Sequence, residues 1–139
     1  MHIGELIDAD VEAVVDLWRR CDLTRPWNDP VEDIGHARRA SDATILVGRE
    51  DTTVVASVMV GLDGHRGWVY YLAVDPTRQR SGFGRAMMSA AEAWLRERGA
   101  PKLQLLVRDT NKAALGFYER LGFEQQTTVT LGKRLDGRM

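Results

Sequence analysis

The stretch that decides the fold is WVYYLAVDPTRQRSGFGRAMMSAAEAW, residues 68–94. Its first seven residues are rich in β-branched and aromatic side chains, the composition of a strand. Asp75 and Pro76 end that run, because proline removes a backbone donor. Arg78, Arg80 and Arg85 follow, with Gly82 and Gly84 set among them. GFGRAMMSAAEAWLRERG, residues 82–99, then reads as a helix with Gly99 as its natural stop. PKLQLLV, residues 101–107, is again strand-like. Strand, helix, strand in one short span normally means a right-handed crossover between two parallel strands.

The chain around this unit reads outward in the same way. HIGELI (residues 2–7) is a first strand. Asp8 or Asp10 caps a helix whose Val11, Val14, Val15, Trp18 and Cys21 share one buried face. LTRPWNDP (residues 23–30) is a polar loop broken by two prolines, and Asp29 caps a short helix with Pro30 in its first turn. ATILVGRE (43–50) and TTVVASVMVGL (52–62) are strands joined at Glu50 and Asp51, and LDGHRG is a second turn. Short turns make these strands antiparallel. NKAALGFYERLG (111–122) is a helix ended by Gly122, and FEQQTTVTLGKRL (123–135) alternates as a final strand. The predicted order is β-α-α-β-β-β-α-β-α-β. The fold class is α/β (α+β): a mixed, mostly antiparallel sheet flanked by helices, in one domain over residues 1–139.

With 139 residues, 44% of them hydrophobic, the chain is long enough for one real core. A formal net charge of -1 argues against a dedicated nucleic-acid binder, which carries a basic excess. Cys21 is the single cysteine, so no intramolecular disulfide forms. Glu5, Asp8 and Asp10 crowd the start, no signal-peptide pattern is present, and no run approaches the roughly 20 apolar residues of a membrane helix. A cytoplasmic protein without a membrane partner is expected. His2, His36 and His65 lack ligand spacing, so no metal is expected.

Gln79 to Gly84 fits Q-x-x-G-x-G at a strand-to-helix junction. Two readings compete there. One is a tight polar turn with solvated arginines. The other is an anion seat: the first N–H groups of a helix have no intrahelical partners, the dipole is positive, and glycine admits close approach. No G-K-[ST] follows, so the pattern is not a Walker A loop, nor is it the dinucleotide G-x-G-x-x-G.

Downstream lies D-x-N-x-x-A-x-x-F-Y-x-x-x-G-F, residues 109–123. A V-D-P strand end, then Q-x-x-G-x-G, a helix, a strand and this second motif together resemble the GNAT acetyltransferase superfamily. RCDLTRPWNDP, DGHRG and TLGKRL are similar to small bacterial GNAT proteins of the YpeA type. The resemblance implies acetyl-CoA as co-substrate, with its pyrophosphate on the backbone of Gln79, Arg80, Ser81, Gly82, Phe83, Gly84 and Arg85. It implies a splayed parallel strand pair, with the pantetheine arm along Leu72, Ala73 and Val74. It places Asn111 on the cofactor arm and Tyr118 near the sulfur, where its phenol supplies a proton or a hydrogen bond to the departing thiolate. A homodimer through the last strands also follows from family likeness.

The implied reaction is direct attack of a primary amine on the thioester in a ternary complex. The amine must be neutral, and an α-amine (pKa about 8) is easier to use than a lysine-type amine (about 10.4). The backbone N–H near Leu72 is the candidate donor to the carbonyl oxygen. Many GNAT enzymes take their base from a glutamate on the strand before the glycine loop, and WVYYLAV has no carboxylate. In the similar ribosomal-protein alanine acetyltransferases a glutamate stands where this chain has Leu106. Asp63, His65, Tyr70, Glu5 or a water chain are the remaining candidates, and an imidazole has the most suitable intrinsic pKa, about 6.5; a surface role for His65 is the competing reading. Arg25, Trp27, Asp63, Arg66 and Tyr70 are candidate acceptor-side residues, with Trp27 alternatively stapling the first two helices. The acceptor is a small-molecule, peptide or protein amine. A noncatalytic acyl-CoA-binding protein is the alternative function.

Overall fold

The structure, a computed structural model, describes residues 1–137, so the last two positions of the expected 1–139 domain lie outside the described residues. Along the chain run β1 (His2–Glu5), α1 (Val11–Arg20), α2 (Pro30–Arg39), β2 (Ala43–Glu50) and β3 (Thr53–Leu62). They are followed by β4 (Gly67–Val74), α3 (Phe83–Glu97), β5 (Leu103–Gln104) and α4 (Lys112–Arg120). Two compact units result, one from Met1 to Leu105 and one from Leu106 onward. The first contains the whole sheet with α1, α2 and α3. The second contains α4 and the residues after it.

Local chemistry sets the element ends. The Leu6 N–H makes the last strand-like bond of β1, to the Ile45 carbonyl at 2.9 Å. The next N–H, of Ile7, donates to Asp10 Oδ2 at 2.8 Å instead, so the strand stops short of the predicted Ile7. At α2, Asp29 Oδ1 accepts from the N–H groups of Val31 (2.9 Å) and Glu32 (3.3 Å), and Pro30 sits in the first turn, as the sequence predicts.

The sheet order is β1-β2-β3-β4-β5. All neighbours are antiparallel except β4 and β5, which are parallel and joined through α3. Strand alternation assigns the faces. Ile45 and Val47 of β2 pack in one core with Val14, Leu17, Trp18, Ile34 and Ala37 of α1 and α2. Gly48 points the other way: a Cβ there would meet the Met87 sulfur of α3 at 3.2 Å. A Cβ on Gly67 would meet Leu95 at 2.6 Å, so glycine at the start of β4 lets α3 lie close on that face. The sheet is therefore covered by α1 and α2 on one side and by α3 on the other.

Two sequence expectations are corrected. β5 spans two residues rather than 101–107, because β4 and β5 pair only at Gly67↔Leu103 and Trp68↔Gln104. Residues 123–135 form no strand. Among the described residues the second unit holds no other strand to pair with them, and Val129 and Leu131 stand 84% and 91% exposed. Alternation alone does not make a strand when its backbone groups have no partner.

Candidate active site

Between β4 and α3 the chain is held from below and left open on top. Asp75 Oδ1 accepts from the Thr77 N–H at 2.9 Å and the Thr77 hydroxyl at 2.8 Å, and Oδ2 accepts from Arg20 at 2.9 Å. These contacts, led by the Thr77 N–H, pull the Asp75 carboxyl down to about 2. Arg78 pairs with Glu50, and Ser81 Oγ donates to the Arg78 carbonyl. The Val74 carbonyl accepts from Cys21 Sγ at 3.2 Å, which places Cys21 in packing rather than at an open face, and burial pushes its thiol pKa up.

Above this base the backbone turns left-handed twice, at Arg80 (φ 67°) and Gly82 (φ 84°). Gly82 is the residue before α3, and nothing lies within 4 Å of where its Cβ would stand. The first turn of α3 has no acidic residue and no side-chain cap. Gln79, Arg80, Ser81, Gly82 and Arg85 are exposed, and Phe83 and Gly84 are half-buried. Arg80 and Arg85 make no ion pair among the described residues. A helix start without an anion of its own, open space at a glycine and two unpaired guanidinium groups fit a polyphosphate.

β4 itself is irregular where the thioester end of such a ligand would run. Ser57 faces Ala73 and Met59 faces Tyr70, so β4 carries one residue more than β3 over this step. The bulge falls at Tyr71 and Leu72, and Tyr71 has φ 54°, a left-handed angle rare for an aromatic residue. Ala73 is buried, and Leu72 and Val74 are half-buried. On its other side β4 pairs with β5 only at Gly67 and Trp68, so Val69 to Val74 have no parallel strand partner among the described residues.

The bulge turns Tyr70 and Tyr71 to the same face, the one covered by α1 and α2. Tyr71 stacks on Trp18 with centroids 3.7 Å apart and planes 5° apart. Trp18 Nε1 donates to Ser57 Oγ at 2.8 Å, and Ser57 Oγ donates to the Tyr71 carbonyl at 3.1 Å. The Tyr71 phenol donates to Asp33 Oδ2 at 2.5 Å. Burial first, then that carboxylate, raise the Tyr71 pKa. Asp33 and Trp18 were not among the candidate site residues from sequence. Tyr70 is 47% exposed beside Trp68, and burial raises its pKa.

The remaining candidates are spread more widely. Asp63 is spent on the β3–β4 turn: Oδ1 accepts from the N–H groups of His65 (2.8 Å) and Arg66 (2.7 Å), and Oδ2 from Trp68 Nε1 (3.1 Å). The Arg66 N–H, followed by that of His65, holds its carboxyl below the usual range. The His65 side chain is exposed, and Arg66 reaches the His65 carbonyl at 3.3 Å. Arg25 folds back on its own loop, donating to the carbonyls of Asp22 (2.9 Å) and Thr24 (2.8 Å). Trp27 is 47% exposed, and Glu5 accepts from Thr44 Oγ1 at 3.3 Å. In the second unit, Asn111 Oδ1 caps α4 by accepting from the Ala114 N–H at 3.1 Å. Tyr118 packs edge-on against Phe117 (5.0 Å) and Phe123 (5.6 Å), and burial pushes its phenol up to about 12. Among the described residues no group of three or more His, Cys, Asp or Glu is placed to hold a metal, and no helix is long and apolar enough to cross a membrane.

A mixed sheet with one parallel strand pair, β4 and β5, beside an open helix start places the chain in the α/β class. Residues 11–123 match the Acetyltransferase (GNAT) family. An acetyltransferase of Yersinia pestis (strain Pestoides F) is 48% identical over 135 residues, 97% of this chain and 96% of that protein. The crystal structure of the ribosomal-protein-S18-alanine N-acetyltransferase from Escherichia coli is 25% identical with a TM-score of 0.77, covering 91% of this chain and 79% of that one. AAC(6')-Iy in complex with the bisubstrate analogue CoA-S-monomethyl-acetylneamine shares the fold, with a TM-score of 0.80 at 16% identity over 96% of this chain and 98% of that one. The chain belongs to the GNAT acetyltransferase family. It is an acyltransferase, in a family of N-acetyltransferases that use acetyl-CoA.

Proposed function

We propose that this protein is a single-domain cytoplasmic enzyme that transfers the acetyl group of acetyl-CoA to a primary amine by direct attack within a ternary complex. The observation that carries the reading is the uncapped start of α3, with left-handed Arg80 and Gly82, next to the bulged β4. Bound acetyl-CoA supplies an activated acetyl thioester. Backbone N–H groups from Gln79 to Arg85 hold its pyrophosphate, with the guanidinium groups of Arg80 and Arg85 beside them. The backbone of Leu72, Ala73 and Val74 lines the arm. The Leu72 N–H, in the bulge and outside the β3–β4 register, stabilises charge developing on the carbonyl oxygen. Asn111 keeps its carboxamide nitrogen for the cofactor arm while its oxygen caps α4.

The amine nitrogen forms the new bond to the acetyl carbon as the carbon–sulfur bond breaks, and the amine proton goes to solvent, with His65 as the proposed base. Tyr118 donates a hydrogen bond to the departing sulfur. Its phenol at about 12 is a far weaker acid than a thiol of about 8.5. Complete transfer of that proton would be uphill by roughly 5 kcal/mol. A hydrogen bond that stabilises the thiolate is the role this residue can fill. Arg25, Trp27, Arg66 and Tyr70 are proposed to line the acceptor side, with Asp63 shaping the turn that carries His65 and Arg66. A second reading, a noncatalytic acyl-CoA-binding protein, is favoured by one feature: β4 bears no carboxylate.

Calorimetric titration with acetyl-CoA, against dephospho-CoA and ATP, tests the reading. Micromolar-range binding of acetyl-CoA followed by turnover of an amine supports it. Binding without turnover on a broad amine panel selects the noncatalytic reading. No binding to the folded protein sinks both.

A further inference from the structure

Asp10, Asp33, Glu50, Asp75 and Glu92 are the described carboxylates that are at least partly buried. Four of them face an arginine: Asp10 with Arg49, Glu50 with Arg78, Asp75 with Arg20 and Glu92 with Arg96. Asp33 has none. Its Oδ2 accepts from the Tyr71 phenol, and its Oδ1 takes no hydrogen bond among the described residues. Asp33 keeps part of its surface in water and sits in the first turn of α2, whose positive dipole end favours a carboxylate, and one of its oxygens is left for a cation. The phenol is also locked in place, since the Tyr71 ring lies on Trp18 and its carbonyl accepts from Ser57. A half-buried carboxylate with no arginine partner therefore stands one side chain away from the bulge at Tyr71 and Leu72.

We propose that Asp33, oriented by Tyr71, is the seat for a positive charge on the acceptor, and that the acceptor class is an amine carrying at least two ammonium groups. This rests on the acetyltransferase reading and deepens it. An ammonium paired with a carboxylate is stabilised in its protonated form, so it keeps its proton and its nitrogen has no lone pair for attack. The charge held by Asp33 is thus a second one, distinct from the reacting nitrogen. Holding it restricts the reacting amine to a short arc beside β4. Tyr71 is a positioning residue in this arrangement, and Asp33 contacts substrate directly.

The test is initial-rate kinetics with the full chain and acetyl-CoA on two amines of equal length, cadaverine and pentylamine. The wild type is expected to show a KM for the diamine about tenfold below that for the monoamine, the size expected for one charged hydrogen bond. Asp33→Asn should erase that preference by raising the diamine KM, while kcat and the acetyl-CoA Kd stay within about twofold. Asp33→Glu keeps the charge while changing the packing, and should retain a diamine-to-monoamine ratio above that of Asp33→Asn. An Asp33→Glu ratio no higher than that of Asp33→Asn would mean that Asp33 acts through packing, and overturns the proposal. So would a diamine preference that survives Asp33→Asn, an Asp33→Asn effect on kcat with KM unchanged, or a wild type that binds acetyl-CoA but does not favour the diamine. A wild type that fails to bind acetyl-CoA removes the acetyltransferase reading itself, and this inference with it.

Discussion

Tyr71 lies flat on Trp18, centroids 3.7 Å apart, although its own backbone is left-handed at φ 54°. An L-residue with a Cβ resists that angle by about 1–2 kcal/mol. The angle persists because the surroundings over-determine it: a stacked ring, a carbonyl held by Ser57 and a phenol held by Asp33. The same bulge takes Leu72 out of the β3–β4 register, at the backbone proposed to face the thioester carbonyl.

Ser57 is the hinge of this arrangement. It is fully buried, accepts from Trp18 Nε1 and donates to the Tyr71 carbonyl. Ser57→Ala leaves a buried indole N–H without its partner, at a cost of about 1–3 kcal/mol. Thermal unfolding followed by circular dichroism should show Tm lowered by roughly 4 °C for each kcal/mol lost. An unchanged Tm would mean that the indole and the bulge do not depend on this hydroxyl.

Asp75 gives the loop a pH dependence. Its folded pKa of about 2 lies below the ordinary value of 3.8. A depressed carboxyl contributes stability that is fully present above the unfolded pKa and is lost as pH falls through the folded one. The window is therefore from about pH 4 down to about pH 2, and the contribution is on the order of 1–2 kcal/mol after solvent screening. Urea midpoints measured across that window should fall more steeply in the wild type than in Asp75→Asn. Parallel slopes would mean that another carboxyl dominates the acid limb.

The local parts of this design were legible in the sequence, and the long-range parts were not. Asp29 and Pro30 announce α2 because an N-cap and its first turn are written in neighbouring residues. Gly82 marks the loop because a left-handed turn before a helix selects glycine. The bulge carries no such mark: WVYYLAV looks like an ordinary strand, and the left-handed residue is a tyrosine. Its causes, Trp18 and Asp33, lie far away in the chain, and nothing near Tyr71 names them. Asp33 stands beside Glu32 in the first turn of α2, and nothing near it in the sequence sets it apart. The tail from Phe123 failed in the opposite sense, because alternation suggested a strand for which its own unit has no partner.

Gly82 separates backbone strain from ligand contact. Nothing lies within 4 Å of the position a Cβ would take, so Gly82→Ala suffers only the left-handed penalty of about 1–2 kcal/mol. The variant should fold, with Tm lowered by several degrees and weakened acetyl-CoA binding. Gly82→Glu has the same backbone penalty and adds a negative charge where the pyrophosphate is proposed to sit. Calorimetry should show binding abolished in Gly82→Glu. Binding retained at wild-type strength would move the phosphate site elsewhere.

Tyr118 offers the sharpest test of the chemistry. Its ring packs edge-on against Phe117 and Phe123, and phenylalanine preserves both contacts while deleting the hydroxyl. Tm of Tyr118→Phe should stay within a few degrees of the wild type. If the hydroxyl stabilises the departing thiolate, kcat should fall by about a hundredfold, while the acetyl-CoA Kd changes less than about twofold. The pH profile adds a sign. Burial holds the phenol at about 12, so the group stays protonated, and able to donate, throughout the neutral and mildly alkaline range. The wild-type kcat should accordingly show no falling limb from this group below about pH 10, and a limb there would assign the donor to a different residue. Equal losses in kcat and in acetyl-CoA affinity would return Tyr118 to a packing role within its own unit.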